Sequence, residues 1–298
     1  MRLVVTGTNG QVARALLDRA RQFPELTVIT VGRPRLDLEN AKTIFPAIAE
    51  ARPDAIVNAA AYTAVDRAET ESQRAFAINR DGAAAVATAA QTLGIPLIHL
   101  STDYVFSGRK TAAYVESDQT GPLGVYGKSK LAGELAVRTA NPDALILRTS
   151  WVYSPFGSNF VNTMLRLAGE KPELRVVNDQ VGNPTSALDL AEAILGTLPR
   201  IKDGAGSIFH VAGTGSASWC GLAKHVLEAS RLAGGPTAHI VPISTSEYPT
   251  PAKRPANSCL DTSAFHAHFG HSLRDWHAGV EETVRRIVKG QESPPLVQ

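Results

Sequence analysis

The sequence predicts an α/β fold: a doubly wound parallel sheet followed by a smaller, C-terminal substrate-binding region. Three observations carry this. Short apolar runs alternate with longer amphipathic or alanine-rich stretches through the first half of the chain, and a glycine turn, Gly7-Thr8-Asn9-Gly10, joins the first run to the first helical stretch. After Trp151 the pattern loosens into loops rich in Gly, Pro, Asn and Ser, around residues 178–186, 204–218 and 243–255. Strands alternating with helices form βαβ units, and their parallel strands, covered on both faces, read as continuous apolar runs.

Taken in order, residues 3–5 are too short and apolar for anything but a buried strand, and residues 12–22 follow as an amphipathic helix. Thr27–Val31 is rich in β-branched residues and reads as the second strand, with a helix over Ala41–Ala51 and a third strand over Ala55–Asn58. Residues 74–93 form one long helical stretch whose small-residue run, 82–90, suits close packing on the sheet or on a partner. A fourth strand over 96–100, a helix over 129–139 and a fifth strand over 145–148 complete the series. Residues 1–150 are therefore expected to bind a dinucleotide, and 151–298 mainly the substrate, with parts of the second region returning to the first. There is no internal repeat, and residues 290–298 read as a frayed tail.

Composition narrows the function. A net charge of +2 provides no strong field for nucleic acid or acidic membranes. No apolar run reaches membrane-spanning length, and the N-terminus enters a strand directly, so a cytoplasmic protein is expected. Cys220 and Cys259 lack the spacing of a zinc site or a disulfide framework.

The glycine turn is the first chemical signal. A tight turn needs positive φ at Gly7, a side chain at Gly10 would block the approach of a pyrophosphate, and the following helix offers unpaired N–H groups to the anion. The second strand ends in Gly32-Arg33, where an NAD-preferring protein often carries an acid for the ribose hydroxyl. Arg33 offers a positive charge to a 2′-phosphate, seconded by Arg35, so NADPH is the expected cofactor, with NADH acceptable.

The fourth strand runs into Ser101-Thr102-Asp103-Tyr104, and Tyr126 and Lys130 follow, four apart and so on one helical face. An ammonium beside a phenol lowers its pKa, which lets Tyr126 exchange a proton with a substrate oxygen, while Thr102 donates a hydrogen bond to the same oxygen. A lone Tyr-x-x-x-Lys is weak. Its order after a glycine turn and a strand ending in Ser-Thr describes a hydride-transfer site.

The chain here resembles the extended short-chain dehydrogenase/reductases, with their Rossmann-like fold, and within them the dTDP-4-dehydrorhamnose reductase family. GTNGQVA, VNAAAYTAVDRAE, LSTDYVFSG, VYGKSKLAGE, LRTSWVYSPFGSNF, VNDQVGNPTSALDLA, FHVAGTGSASW and YPTPAKRPANSCLD carry the similarity over nearly the whole length. The resemblance implies NAD(P)H-dependent reduction of the 4-keto group of dTDP-4-dehydro-L-rhamnose to dTDP-L-rhamnose. It implies a catalytic triad of Thr102, Tyr126 and Lys130, the lysine also holding the nicotinamide ribose. Gly7, Asn9, Gly10, Gln11, Val12, Asp37, Leu38, Ala60, Ala61, Tyr62 and Thr63 would line the cofactor, and Val65, Asp103, Tyr104 and Trp151 would face the nucleotide sugar. Arg254 and Asn257 lie in a loop that would close over it.

Two positions depart from the family. Tyr62 stands where histidine is common, and Ala15 stands where some members have an acid that helps bind a divalent ion at a dimer interface. No metal is expected here, and a homodimer is the assembly the family admits. His266, His268, His271 and His277 lack a ligand spacing and read as solvated. A 4-ketoreductase for another dTDP-deoxysugar and a non-catalytic NADP-binding regulatory subunit are the alternatives, the latter opposed by the intact triad.

Overall fold

The computed structural model describes residues 1–290; the expected tail, apart from Gly290, lies outside the described residues. Its centre is a six-stranded, wholly parallel sheet. Strand β1 (Arg2–Thr6) pairs with β2 (Thr27–Val31) on one side and β3 (Ala55–Asn58) on the other. The sheet continues through β4 (Leu97–Thr102), β5 (Leu145–Thr149) and finally Ile208–His210. All residues of β3, β4 and β5 are buried, whereas β2, at the sheet edge, is only half covered.

Alternation along the strands divides the core. Leu3, Val5, Ala55, Val57, Ile98 and Leu147 point to the face covered by helix α1 (Gln11–Arg19) and helix Ala187–Thr197. Val4, Ile56 and Leu97 point to the other, under α2 (Ala41–Ala51) and helix Ala83–Leu93. A separate apolar cluster is built wholly from later residues, among them Val161, Leu165, Leu174, Val226, Ile240, Val280 and Val284. The chain after residue 150 therefore both extends the first sheet and forms a core of its own.

The helices differ from expectation in two places that matter. The stretch 74–93 is not one helix. It divides into Ser72–Phe76, a π-helical turn over Ala77–Gly82, and Ala83–Leu93. A Cβ on Gly82 would run into the Leu38 backbone, so the crossing is set by that contact. The helix expected over 129–139 spans Val125–Ala140, which brings Tyr126 into its first turn. Gly127 looks like a turn residue in sequence, yet it is helical, and it is glycine because a Cβ there would collide with the Tyr104 carbonyl. Helix α1 likewise stops at Arg19 and tightens to a 3-10 turn over Ala20–Gln22.

With β2 on one side of β1 and β3 on the other, the loops leaving β1 and β3 diverge. That divergence opens a crevice at the carboxyl ends of the strands.

Candidate active site

A cleft of about 950 Å³ occupies that crevice. Its floor is the turn after β1. Gly7 has φ +88°, a conformation open to glycine at little cost, and its N–H donates to the Val31 carbonyl at 2.7 Å. Gly10 precedes α1 without any side-chain cap, and a Cβ built on it meets nothing within 4 Å. The first N–H groups of α1 thus face open cleft, where an anion can approach the backbone. Asn9, Gln11 and Val12 line the same wall. Gln11 also reaches across, donating to the Val152 carbonyl at 3.3 Å and accepting from the Ser154 hydroxyl at 2.9 Å.

Gly32, Arg33, Asp37 and Leu38 form the side next to β2. Arg33 is exposed on this wall and has no acidic partner among the described residues. Arg35 does not join it: it lies off the cleft and pairs with Glu50 at 3.0 Å. Ala60, Ala61, Tyr62 and Thr63 continue from β3, with Val65 beyond them.

Asn79, which nothing in the sequence reading singled out, holds this wall in place. From the π-helical turn its Oδ1 accepts the Tyr62 N–H at 2.8 Å, and its Nδ2 donates to the Tyr62 carbonyl at 3.1 Å and the Ser129 hydroxyl at 2.9 Å. An asparagine in an otherwise helical, alanine-rich stretch was the available signal.

Thr102, Tyr126 and Lys130 meet where β4 ends. Thr102 is the last residue of β4, buried, with its hydroxyl donating to Asp103 Oδ1 at 2.9 Å and accepting the Tyr104 N–H at 3.2 Å. The Tyr126 phenol lines the same cleft as Thr102, and desolvation pushes its pKa up to about 12 against a lowering influence of the Thr102 hydroxyl. Tyr104 stands edge-on to it, ring centres 5.7 Å apart. Lys130 is buried, donates to the Leu100 carbonyl at 2.6 Å, and is brought down by burial to about 8. The expected lowering of the phenol by Lys130 does not arise here: the ammonium turns to a backbone carbonyl, and desolvation dominates the phenol. At neutral pH the tyrosine is held protonated, the form that donates. Asp103, buried beside them, is pushed up to about 6 by the same cause.

Trp151 faces the cleft from the far side with φ +47°, strained for a non-glycine residue. Its indole stacks on Trp219 at 3.5 Å and 4°, and Phe160 packs behind Trp219. Trp219 also lines the cleft, and its part in supporting Trp151 was not legible from sequence.

Arg254 and Asn257 do not line this cleft. Arg254 is held by Asp66 at 2.8 Å and by Thr250, which ties the late loop to the short helix Val65–Ala68. Asn257 donates to the Lys110 and Ala112 carbonyls and accepts from the Cys259 N–H, bracing one loop against another beside a second cavity of about 450 Å³. Both sets of partners satisfy the side chains internally, which explains why neither projects into the larger cleft.

A divalent ion does not fit the face where some family members hold one. Ala15 is fully buried, and one turn later Arg19 takes Glu192 at 2.9 Å and Glu282 at 2.8 Å, so a guanidinium already neutralises those carboxylates. Among the described residues no cluster of three or more His, Cys, Asp or Glu is arranged for a metal. The four late histidines are dispersed: His266 meets Ser272, His268 packs on Phe209, His271 on Gly196, and His277 on Asp275.

A family model described as the RmlD substrate binding domain matches residues 1–289. The chain is 51% identical over 292 residues to a dTDP-4-dehydrorhamnose reductase of Sinorhizobium fredii, covering 97% of each chain. It is 40% identical to that of Escherichia coli, covering 96% of this chain and 98% of the other. Among solved structures, a Bacillus anthracis dTDP-4-dehydrorhamnose reductase in complex with NADP superposes with a TM-score of 0.88 at 35% identity, over 95% of this chain and 98% of that one.

Proposed function

Since the chain belongs to the RmlD substrate binding domain family, we propose that it is an NADPH-dependent oxidoreductase that reduces the 4-keto group of dTDP-4-dehydro-L-rhamnose to dTDP-L-rhamnose. The observation that carries the reading is the meeting of Thr102, Tyr126 and Lys130 at the carboxyl edge of the sheet, beside an uncapped helix N-terminus.

The cofactor, when bound, supplies the hydride. Gly7 and Gly10 leave the backbone open to a pyrophosphate, and Arg33 and the wall from Ala60 to Thr63, which line the same cleft, would help to hold the cofactor, Arg33 by its charge toward a 2′-phosphate. Lys130, poised near neutral pKa, hydrogen-bonds its ribose. The Tyr126 phenol gives its proton to the substrate O4, and Thr102 orients that oxygen by a hydrogen bond. Val65, Tyr104 and Trp151 shape the sugar side. In this reading residues 1–150 hold the cofactor and 151–298 mainly the sugar nucleotide, across the Gln11 to Ser154 contact. No helix among the described residues is long and apolar enough to cross a membrane, and a reductase fed by NADPH works in the cytoplasm, where that cofactor is regenerated. A homodimer would cover Leu135, which stands exposed on the catalytic helix.

The test is turnover by the purified protein given dTDP-4-keto-6-deoxyglucose, the family's 3,5-epimerase and NADPH, with identification of the sugar formed. Tyr126→Phe should bind NADPH normally and lose roughly 10²–10⁴ in rate. A different sugar, or near-normal turnover by the variant, would overturn the substrate or the role of Tyr126 respectively.

A further inference from the structure

We infer that Asp103 controls the direction in which the Thr102 hydroxyl donates, and is thus a positioning residue for the reacting oxygen; this rests on the roles of Thr102 and Tyr126 proposed above. Thr102 has one hydroxyl proton. In the structure that proton goes to Asp103 Oδ1 at 2.9 Å, while the Tyr104 N–H already occupies a lone pair at 3.2 Å; the Tyr126 phenol, on the same cleft, and the substrate oxygen are the rival acceptors. When Asp103 is a carboxylate its charge claims the proton, because a hydrogen bond to an ionised acceptor is roughly twice as strong as a neutral one. The Thr102 proton then points away from the substrate. When Asp103 is protonated that hold weakens, and the hydroxyl turns to the phenol oxygen or to the carbonyl being reduced.

The surroundings suit a carboxyl that changes state. Asp103 is 2% exposed, and its Oδ2 makes no hydrogen bond of normal geometry, although the Ser258 hydroxyl faces it. Thr102 and Tyr104 stand beside it on its own turn, Tyr126 on the catalytic helix, and Ser258 and Cys259 on the late loop. Burial keeps both phenols and the thiol neutral. The two nearby cations are engaged elsewhere, Lys130 by the Leu100 carbonyl and Arg254 by Asp66. Asp103 is therefore the group of this cluster that titrates near pH 6, and an anionic sugar nucleotide raises it further toward neutrality.

The experiment is single-turnover reduction of dTDP-4-dehydro-L-rhamnose by the intact protein with NADPH, across the range where the carboxyl titrates. The wild-type rate should fall with rising pH, approaching about tenfold per unit above the carboxyl's pKa. Asp103→Asn, neutral throughout, should be flat over the same range whatever its absolute rate. Independently of turnover, the Asp103 carboxyl band followed by infrared difference spectroscopy on the ligand-free protein should titrate at higher pH in Thr102→Val, because a hydrogen bond favouring the carboxylate is gone. A falling limb that survives in Asp103→Asn, or a carboxyl titration unmoved by Thr102→Val, overturns the inference. Absence of wild-type turnover at every pH would instead overturn the proposed function.

Discussion

Glu134 and Arg148 form a buried, two-pronged ion pair, Nε to Oε1 at 2.9 Å and Nη2 to Oε2 at 2.7 Å, one helical turn beyond Lys130. The pair joins the catalytic helix to β5, and the Ser101 hydroxyl, donating to Glu134 at 2.5 Å, adds β4. Both side chains are at most 4% exposed, and Arg148 Nη1 has no partner. Removing the acid would strand a buried guanidinium, so Glu134→Ala should cost about 3–5 kcal/mol in urea unfolding. The double change Glu134→Ala with Arg148→Met should recover much of that loss. A double variant no more stable than the single one would show that the pair acts through shape and not charge.

Asp103 should make stability depend on pH in the sense opposite to a salt-bridged acid. Its carboxyl rises from 3.8 to about 6 in the fold, so the folded state binds the proton more tightly than the unfolded chain does. The stability this contributes is fully present below about pH 4 and is lost as pH rises through about 6, a change of about 3 kcal/mol. Asp103→Asn cannot titrate. Its stability relative to wild type should therefore improve between those limits, as read by denaturant midpoints at each pH; a constant difference would mean the carboxyl is not raised.

Gly182 is expected to govern Trp151 from behind. A Cβ on Gly182 would strike the Trp151 indole, and the indole is already stacked face to face on Trp219. Gly182→Ala should tilt the indole and raise KM for the sugar nucleotide by up to about tenfold, the size of one aromatic contact of about 1.4 kcal/mol. NADPH affinity should stay the same. Equal loss of both affinities would place Trp151 in the general core.

Arg33 is expected to set cofactor choice alone. Arg35 is paired to Glu50, and the other arginines on the cleft, Arg67 and Arg74, are paired to Glu71 and Glu39, so Arg33 is the cleft arginine without an acidic partner among the described residues, and a charge-assisted bond to a 2′-phosphate contributes roughly 1.5–3 kcal/mol. Arg33→Ala should reduce the NADPH over NADH preference in kcat/KM by about tenfold or more, and Arg35→Ala should leave it intact. Equal kcat/KM for both cofactors in the wild type would remove Arg33 from the site.

What the sequence determined by itself was everything that depends on local chemistry. Apolar runs bounded by turns located β1 to β5, since a strand buried on both faces has no polar alternative. Gly7 and Gly10 announced the phosphate turn because few other residues serve there, and Tyr126 and Lys130 announced one helical face because a spacing of four fixes it. The tertiary structure decided what depends on long-range neighbours. The π-helical turn carries Asn79, which bonds the Tyr62 backbone, and ends at Gly82, where only glycine leaves room for the Leu38 backbone, some forty residues earlier. Arg254 and Asn257 turned inward because Asp66 and the 110–112 carbonyls, distant in sequence, bind them. Protonation states belong to the same class. A phenol beside a lysine suggested a lowered pKa, yet desolvation of the half-buried Tyr126 by its surroundings and the carbonyl that captures Lys130 reversed its direction, because desolvation is set by all the atoms that surround a group and not by its neighbours along the chain.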